Sequence, residues 1–445
     1  MSRMSGSAAY AAPPISLRVL AGPPASAGPE RHGDHVARLG ALPPAAELRD
    51  VVPVVEASGM LGRGGAGFPV GRKWRAVAER AAGDAVVVVN GAEGEPHSAK
   101  DRALMEHRPH LVLDGALVAA SAVGAGEIVL YVGSEHGAAQ RALSRAVGER
   151  TGEIDIPVRL VTPPVSYVAG EATAAVHYVN RGDARPTFPE VRTHERGVDG
   201  RPTLVQNAES LAHAALVARF GDAWYRAAGR GPTRGTALVT VSGLGARMAV
   251  REIEYGTTIA ELVGLVGRDG AAGGAMVRAG GPGHGGAPAA TALPAGGAVL
   301  LGGYFGGWAP VDAVRDVPLD PAVLRERDLA FGCGVVSVAG AETCGVRATA
   351  EIMSYMAAES AGQCGPCVFG LTAIAEALRN LATGRAGDGE LAQIERWSGL
   401  VRGRGACHHP DGAIGLLQSA LQVFETEFAR HQARRGCSAA PARAA

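Results

Sequence analysis

Residues 62–69 read Gly62-Arg63-Gly64-Gly65-Ala66-Gly67-Phe68-Pro69, and Gly71-Arg72-Lys73-Trp74 follows. Four glycines in six residues give a backbone that can adopt φ > 0 and lie flat against a ligand. A run of open N–H groups feeding a helix start is an anion cradle, suited to a phosphate. The letters fit Gly-x-Gly-x-x-Gly, which in dinucleotide sites follows a strand. Here the preceding residues, 45–60, read as a helix, with Leu48, Val51, Val52, Val54 and Val55 interspersed with charge. The expectation is a glycine loop between two helices.

Three other groups carry chemistry. An apolar run of strand length, 84–89, ends in Asn90-Gly91-Ala92-Glu93-Gly94-Glu95-Pro96-His97. Polar and acidic residues just past a buried strand are where α/β sheets bind ligands. Lys73 and Lys100 are the only lysines among 43 basic residues, and both fall between Gly62 and Arg102. A guanidinium does not replace a compact ammonium, so both are expected to be site residues. Cys364-Gly365-Pro366-Cys367, with Cys407 beyond, makes a Cys-x2-Cys that alone suits zinc, a redox pair or neither. Cys333 and Cys437 read as bystanders.

The elements that must position these groups follow from composition and period. A chain of 445 residues holds about three domains. Basic and acidic residues balance at 43 each, which argues against a nucleic-acid partner. No apolar run is long enough for a transmembrane helix, and the N-terminal 30 residues lack signal-peptide character. Residues 1–44 are expected to be a disordered or extended arm, and the location cytoplasmic. Cysteines in a reducing compartment are metal ligands or bystanders sooner than disulfides.

Strands at 84–89, 127–132 and 158–161 alternate with helices at 74–82, 107–123 and 138–150, which implies a parallel, doubly wound layer. Residues 167–173 open another helix, and 203–219 reads as helical throughout. After a linker at 229–235, a hairpin (236–241 with 248–253), a helix at 258–266 and short strands at 275–279 and 298–301 suggest a β-grasp-like module. Residues 348–359, 370–381, 390–402 and 413–432 suit a helical bundle. The expected domains are therefore 45–230 (α/β), 235–315 (β-grasp) and 320–435 (helical bundle), with a tail at 436–445.

Taken together, the motifs resemble the NADH-binding flavoprotein subunit of respiratory complex I and its relatives in NAD-linked hydrogenases and formate dehydrogenases. The resemblance runs in order from about residue 45 to 430. It rests on the glycine loop, Asn90 to Pro96, Lys100-Asp101-Arg102, Gly170 to Thr173, Arg185 to Pro189, and Glu359 to Cys367 with Cys407. It implies a Rossmann-like domain holding FMN through Gly62, Arg63, Gly64, Gly65, Ala66, Gly67, Lys73, Asn90, Glu93, Tyr167, Gly170, Glu171, Gln206 and Asn207. It implies NAD(H) or NADP(H) stacked by Phe68 and Phe188, with Glu95 beside it and Arg185 near its far end; Lys73 and Glu95 would be the catalytic pair. It also implies an iron–sulfur cluster on Cys364, Cys367 and Cys407, and electron transfer to a ferredoxin-like or thioredoxin-like iron–sulfur partner. The subunit would be cytoplasmic, or peripheral to the inner membrane through its partners. The Gly302-Gly303-Tyr304-Phe305-Gly306-Gly307 stretch resembles part of the family's soluble-ligand-binding domain.

The sequence departs from the family pattern at Ala92, Ala172 and Ala76, which replace an Asp, a Glu and a stacking Phe. Ala361 replaces the first cysteine of the cluster motif, leaving three thiolates for a [3Fe–4S] cluster or a [4Fe–4S] with a fourth ligand from His408, His409 or Cys344. The contrasting expectation is a non-catalytic ligand-binding or scaffold protein with a β-grasp domain and degenerate redox sites.

Overall fold

The computed structural model of the chain describes residues 17–188, 192–243, 248–272, 277–278 and 292–433, with backbone only for 267–272 and 277–278. Pro189 and Cys437 fall outside these residues. The first lobe is built on a four-stranded parallel sheet of β1 (Ala85–Gly91), β2 (Ala125–Val132), β3 (Val158–Val161) and β4 (Thr203–Asn207), in the order β3-β2-β1-β4. The run Ala85-Val86-Val87-Val88-Val89 is buried throughout. Ala85, Val87 and Val89 join a core with helices Pro109–Val123 and Ala208–Arg226, whereas Val86 and Val88 face Ala175 and Val176 of helix Ala172–Arg181. A strand apolar on both faces is what a sheet covered on both sides requires.

β4 corrects the expectation of one helix over 203–219. Residues 203–207 form the strand, and the helix begins at Ala208 with the Asn207 side chain accepting from the Ser210 N–H. The apolar content of Leu204 and Val205 fits either element; pairing with β1 decides it. Similarly, the helix expected over 45–60 is two short helices, Ala45–Leu48 and Val52–Ala57.

The arm expected at 1–44 is, from residue 17 on, packed against the molecule. The Arg18, Val19 and Leu20 N–H groups donate to Glu252, and the Arg18 guanidinium donates to the carbonyls of Trp224 and Tyr225. His35, on helix His32–Leu39, lies 2.7 Å from Asp114. A Pro-, Gly- and Ala-rich composition hid these few anchoring side chains.

The second lobe is a six-stranded mixed sheet of β5 (Thr236–Ser242), β6 (Ala249–Glu254), β7 (Val277–Arg278), β8 (Ala298–Leu301), β9 (Gly307–Pro310) and β10 (Val335–Ala339), ordered β7-β6-β5-β10-β8-β9. β5 and β6 form the expected antiparallel hairpin, and helix Ile259–Ala272 follows it. β10 pairs parallel with β5 and antiparallel with β8, so the sheet extends to residue 339 and not to the expected boundary near 315. Helices Gly345–Ala358, Thr372–Ala382, Glu390–Val401, His409–Val423 and Glu425–Gln432 then share a core that includes Met353, Leu378, Ile394 and Ile414. The stretch expected as one helix over 413–432 breaks at Phe424.

Candidate functional site

The glycine loop lies between helices Val52–Ala57 and Val70–Ala78, as the sequence suggests. Its base is pinned: the Gly62 N–H donates to the Phe68 carbonyl, Val70 N–H to Met60, and Arg63 N–H to the Ser210 hydroxyl. Among the described residues, the N–H groups of Gly64, Gly65, Ala66, Gly67 and Phe68 donate to no protein acceptor. Gly65 and Gly67 adopt φ of 102° and 63°, with open space where a Cβ would stand. That is the form of an anion cradle. The Arg63 side chain does not take part. It turns inward, donating to the Tyr225 hydroxyl and the Thr236 carbonyl, and sits 3.6 Å from Glu209.

β1 runs on to β2 and β3 on one side, while β4 adds on the other, so the strand order reverses between β1 and β4. Ligands bind in open α/β sheets at the carboxyl ends of such neighbouring strands. Asn90 faces Asn207, and Val89 faces Gln206, at that point. Gly64 reaches the same place: a Cβ there would stand 3.5 Å from the Asn207 Cβ. The Gln206 side chain is 4 % exposed, and its Oε1 lacks a hydrogen-bond partner among the described residues. Lys73, on the helix after the loop, donates from Nζ to the Val205 carbonyl. Burial pulls its pKa down to about 8, partly offset by Glu171. A buried amide oxygen without a donor, free loop amides and a half-desolvated ammonium fit the ring edge and phosphate of a flavin nucleotide.

Other expected ligands are engaged within the protein. Asn90 Nδ2 donates to the Gly170 carbonyl at 2.7 Å. The Glu93 carboxylate accepts from Ser98 Oγ and from the Asp101 and Arg102 N–H groups, closing the start of helix Lys100–His107. The Glu171 carboxylate caps helix Ala172–Arg181 through the Thr173 and Ala174 N–H groups. Lys100 is not at the cradle's open face; it is buried beneath it, 2.6 Å from Asp101 and 2.9 Å from Glu209. Burial opposes its charge, but Asp101, Glu209 and Glu93 outweigh that and push its pKa up.

Glu95 is 9 % exposed and accepts three hydrogen bonds: the His97 N–H at 3.1 Å, the Tyr167 hydroxyl at 3.1 Å and the Tyr304 N–H at 2.7 Å. Burial pushes its pKa up to about 6 against the pull of these donors. Tyr304 and its neighbour Phe305 belong to the second lobe. Tyr167 also packs edge-on against Phe305, Tyr355 and His409, and its N–H donates to Glu359. All three parts of the chain therefore meet at Glu95 and Tyr167.

On the open side, Phe68 is 56 % and Phe188 73 % exposed, large aromatic surfaces without protein cover. Arg185 is exposed as well, but its guanidinium is paired with Asp183.

Cys364 and Cys367 bracket a turn that leads into a π-helical segment, Pro366–Leu371, a wide winding that recurs at functional sites. Burial pushes Cys367 up to about 12, with Cys364 and Cys407 adding to it. Cys407 is raised by burial and by Cys364 and Glu171, against a hydrogen bond from the His409 N–H. Among the described residues, no three His, Cys, Asp or Glu side chains converge to hold a single metal ion. A cluster spreads its thiolates over several irons and needs a wider set.

Of the candidate fourth ligands, Cys344 fails on distance. It precedes the 14-residue helix Gly345–Ala358, which at about 1.5 Å per residue places it some 20 Å from the cysteine turn, and it pairs with His431. His409 engages the Met356 carbonyl through Nε2, whereas His408 is exposed beside Cys407.

Two family models match the chain: the Nuo51 FMN-binding domain over residues 55–215, and the NADH-ubiquinone oxidoreductase-F iron-sulfur binding region over 347–431. The second F-type subunit of NADH-quinone oxidoreductase in Rhizobium meliloti (strain 1021) is 30% identical over 401 residues, 87% of this chain and 90% of the relative. The chain belongs to the family of NADH-quinone oxidoreductase F-type subunits. Another member, the F-type subunit of Rhodobacter capsulatus, is 28% identical over 88% of the chain and 90% of its own length. An NAD+-reducing [NiFe]-hydrogenase in the air-oxidized state superposes with a TM-score of 0.76 at 26% identity. The match covers 90% of this chain and 65% of the hydrogenase chain. The two regions of this chain that match the family models are those carrying the glycine cradle and the cysteine turn. The motifs contain Tyr304 and Glu359 without giving either a task at Glu95 or Tyr167, and Cys333, expected as a bystander, lies beside Glu95 and the 302–304 turn. Successive glycines at 302 and 303, both at positive φ, were the available signal for Tyr304 and Cys333.

Proposed function

We propose that this chain is an electron-entry flavoprotein subunit that oxidises NADH or NADPH and hands single electrons to an iron–sulfur cluster and a partner protein. The observation that carries this reading is the set of free loop amides at residues 64–68 together with the buried Gln206 Oε1, which has no donor among the described residues, on the strand pair where the sheet order reverses. Bound FMN would accept a hydride and release electrons one at a time. The chain's own groups do the rest. The loop N–H groups of residues 64–68 hold the phosphate, Gln206 meets the ring edge, Asn90 braces the Gly170 backbone beside it, and Lys73 offers positive charge. Phe68 and Phe188 stack the nucleotide, and Glu95 stands beside it. Cys364, Cys367 and Cys407 hold the cluster, with Glu359 and Tyr167 joining its neighbourhood to the flavin side.

We assign the second lobe, 235–339, to the β-grasp type, because a hairpin, a helix and a central parallel strand pair are that fold's core. The helices from 345 on form the cluster-bearing bundle. No helix among the described residues is long and apolar enough to cross a membrane; a position peripheral to the membrane, through partner subunits that include an iron–sulfur protein, is part of the proposal. The replacement of a cluster cysteine by Ala361 favours a second reading, a scaffold with degenerate redox sites. Anaerobic purification with flavin, iron and sulfide analysis, followed by NADH addition, separates them. Stoichiometric FMN bleached by NADH supports the first reading, and colourless protein the second.

A further inference from the structure

The redox reading leaves the Gly302–Gly307 stretch without a task. Gly302 and Gly303 adopt φ of 83° and 87°, and the Gly302 carbonyl accepts from the Cys333 N–H at 3.2 Å. The turn carries the second lobe across to the first. There the Tyr304 N–H donates to Glu95 Oε2, and the Tyr304 ring lies 5.5 Å from His97 and stacks on Tyr167 at 6.3 Å. The fit is close: a Cβ on Gly303 would stand 2.6 Å from Glu95 Oε2 and 2.9 Å from Cys333 Sγ. Glu95 thus takes its shortest hydrogen bond from a different lobe of the protein.

We infer that this turn of the second lobe is a positioning element for the reaction, with Gly303 and Tyr304 fixing the Glu95 carboxyl beside the nucleotide. The inference rests on the assignment of Glu95 given above. It gives the lobe a role in catalysis that requires no soluble ligand of its own.

The physical consequence concerns charge. Donors favour the carboxylate, and burial favours the neutral acid. The groups facing Glu95 are Glu93 and His97 from its own segment, Tyr167, Tyr304 and Cys333, and Tyr355 from helix Gly345–Ala358. Withdrawing the Tyr304 N–H leaves burial less opposed, so the carboxyl should hold its proton to higher pH.

The test is rapid-mixing reduction of the FMN-loaded full chain by NADH between pH 5 and 8.5. The native rate is expected to show an inflection near pH 6, absent in Glu95→Gln. Gly303→Ala, whose methyl group pushes the carboxyl away, should move the inflection up by about one pH unit with flavin still bound. Should Gly303→Ala not fold, Tyr304→Ala carries the test. It keeps the glycines but removes the ring that seats the turn on Tyr167 and His97, and it too should shift the inflection upward. An inflection unmoved in the folded variants, or a native rate flat with pH, overturns the inference while leaving the function intact. A native protein that binds FMN but is reduced by neither NADH nor NADPH at any pH overturns both.

Discussion

The Asn207 carboxamide donates to the Asp101 carboxylate at 2.9 Å, and Asp101 is paired with the Lys100 ammonium at 2.6 Å. A side chain at the rim of the cradle is thereby set by a buried charge network. Glu209, 2.9 Å from Lys100, extends it and accepts from the Leu238 N–H of the second lobe. Removing one partner from such a network leaves the others buried and uncompensated, at a cost of about 3–5 kcal/mol. Lys100→Met should therefore lower the stability of the flavin-free protein by that order. Urea unfolding of the two apoproteins checks it, and equal midpoints would reduce Lys100 to a bystander.

Lys73 behaves differently, because no carboxylate touches it. Burial brings its pKa down to about 8, so the ammonium is charged below that pH and neutral above it. An anionic ligand at the cradle favours the charged form. Affinity for FMN should then be level below pH 8 and weaken as pH rises through it, by up to about tenfold per unit. Titrating apoprotein with FMN from pH 6.5 to 9.5 measures this, and Lys73→Met should flatten the curve. Lys73→Arg should slow flavin reduction, since a planar guanidinium does not fit the seat at the Val205 carbonyl. An Arg variant with unchanged turnover would contradict that role.

The loop glycines divide into two kinds. A Cβ on Gly71 would fall 2.7 Å from the Glu56 backbone, so Gly71→Val should fail to fold. Gly65 and Gly67 have open space around them but hold positive φ. Gly65→Val or Gly67→Val should give soluble protein with little or no FMN, because the added side chain twists the amides and fills their approach. Absorbance at 450 nm on the purified variants is the measurement. Full occupancy in both would remove the loop as the phosphate cradle.

How far the sequence carried this picture depended on the kind of constraint. The parallel sheet was readable because β1 and β2 are continuous apolar runs between helices of ordinary length. β4 was not, since Leu204 and Val205 run straight into a long helix and only pairing with β1 separates the two. The glycine loop announced itself through composition, as did the cysteine turn. The direction of Arg63 and Lys100 was not readable, because a motif letter does not say which way a side chain points. Both turn inward to Glu209, a residue no local pattern connects to them. The bond from Tyr304 to Glu95 spans 209 positions, beyond the reach of any spacing argument.

Three cysteine thiols and a half-buried Ala361 mark the region matched to the iron–sulfur family model. A site short of one thiolate binds its metal less tightly and is more open to oxygen. Iron is therefore expected to be substoichiometric or oxygen-labile in the native protein. Ala361→Cys should raise it toward four per chain, as judged by iron and sulfide assay with electron paramagnetic resonance. No iron in either protein would make the bundle purely structural. A full, stable cluster in the native protein would point to His408 as the fourth ligand.

The last prediction concerns the nucleotide. In dinucleotide sites a carboxylate on the adenosine ribose accepts from the 2′-OH and repels a 2′-phosphate. Helix Ala172–Arg181 opens with Glu171, whose carboxylate is already held by the Thr173 and Ala174 N–H groups, and continues with Ala172, which has none to offer. Both the attraction and the repulsion are absent at position 172. Around His194 the charge is mostly positive: burial and then Arg80 pull its imidazole down, with Arg192 and Lys73 adding to it against Glu195. Arg185 is less available than its position suggests, because a 2′-phosphate must compete with Asp183 for it. NADPH should therefore reduce the flavin at a rate comparable to NADH or better, with the advantage shrinking as salt screens the exposed charges. Ala172→Glu should shift the ratio toward NADH by about tenfold, the worth of one hydrogen bond to a charged group. Parallel reduction rates with the two nucleotides, in native and variant protein, decide it. A native protein that strongly prefers NADH, with the ratio unmoved in Ala172→Glu, would show that position 172 does not meet the ribose.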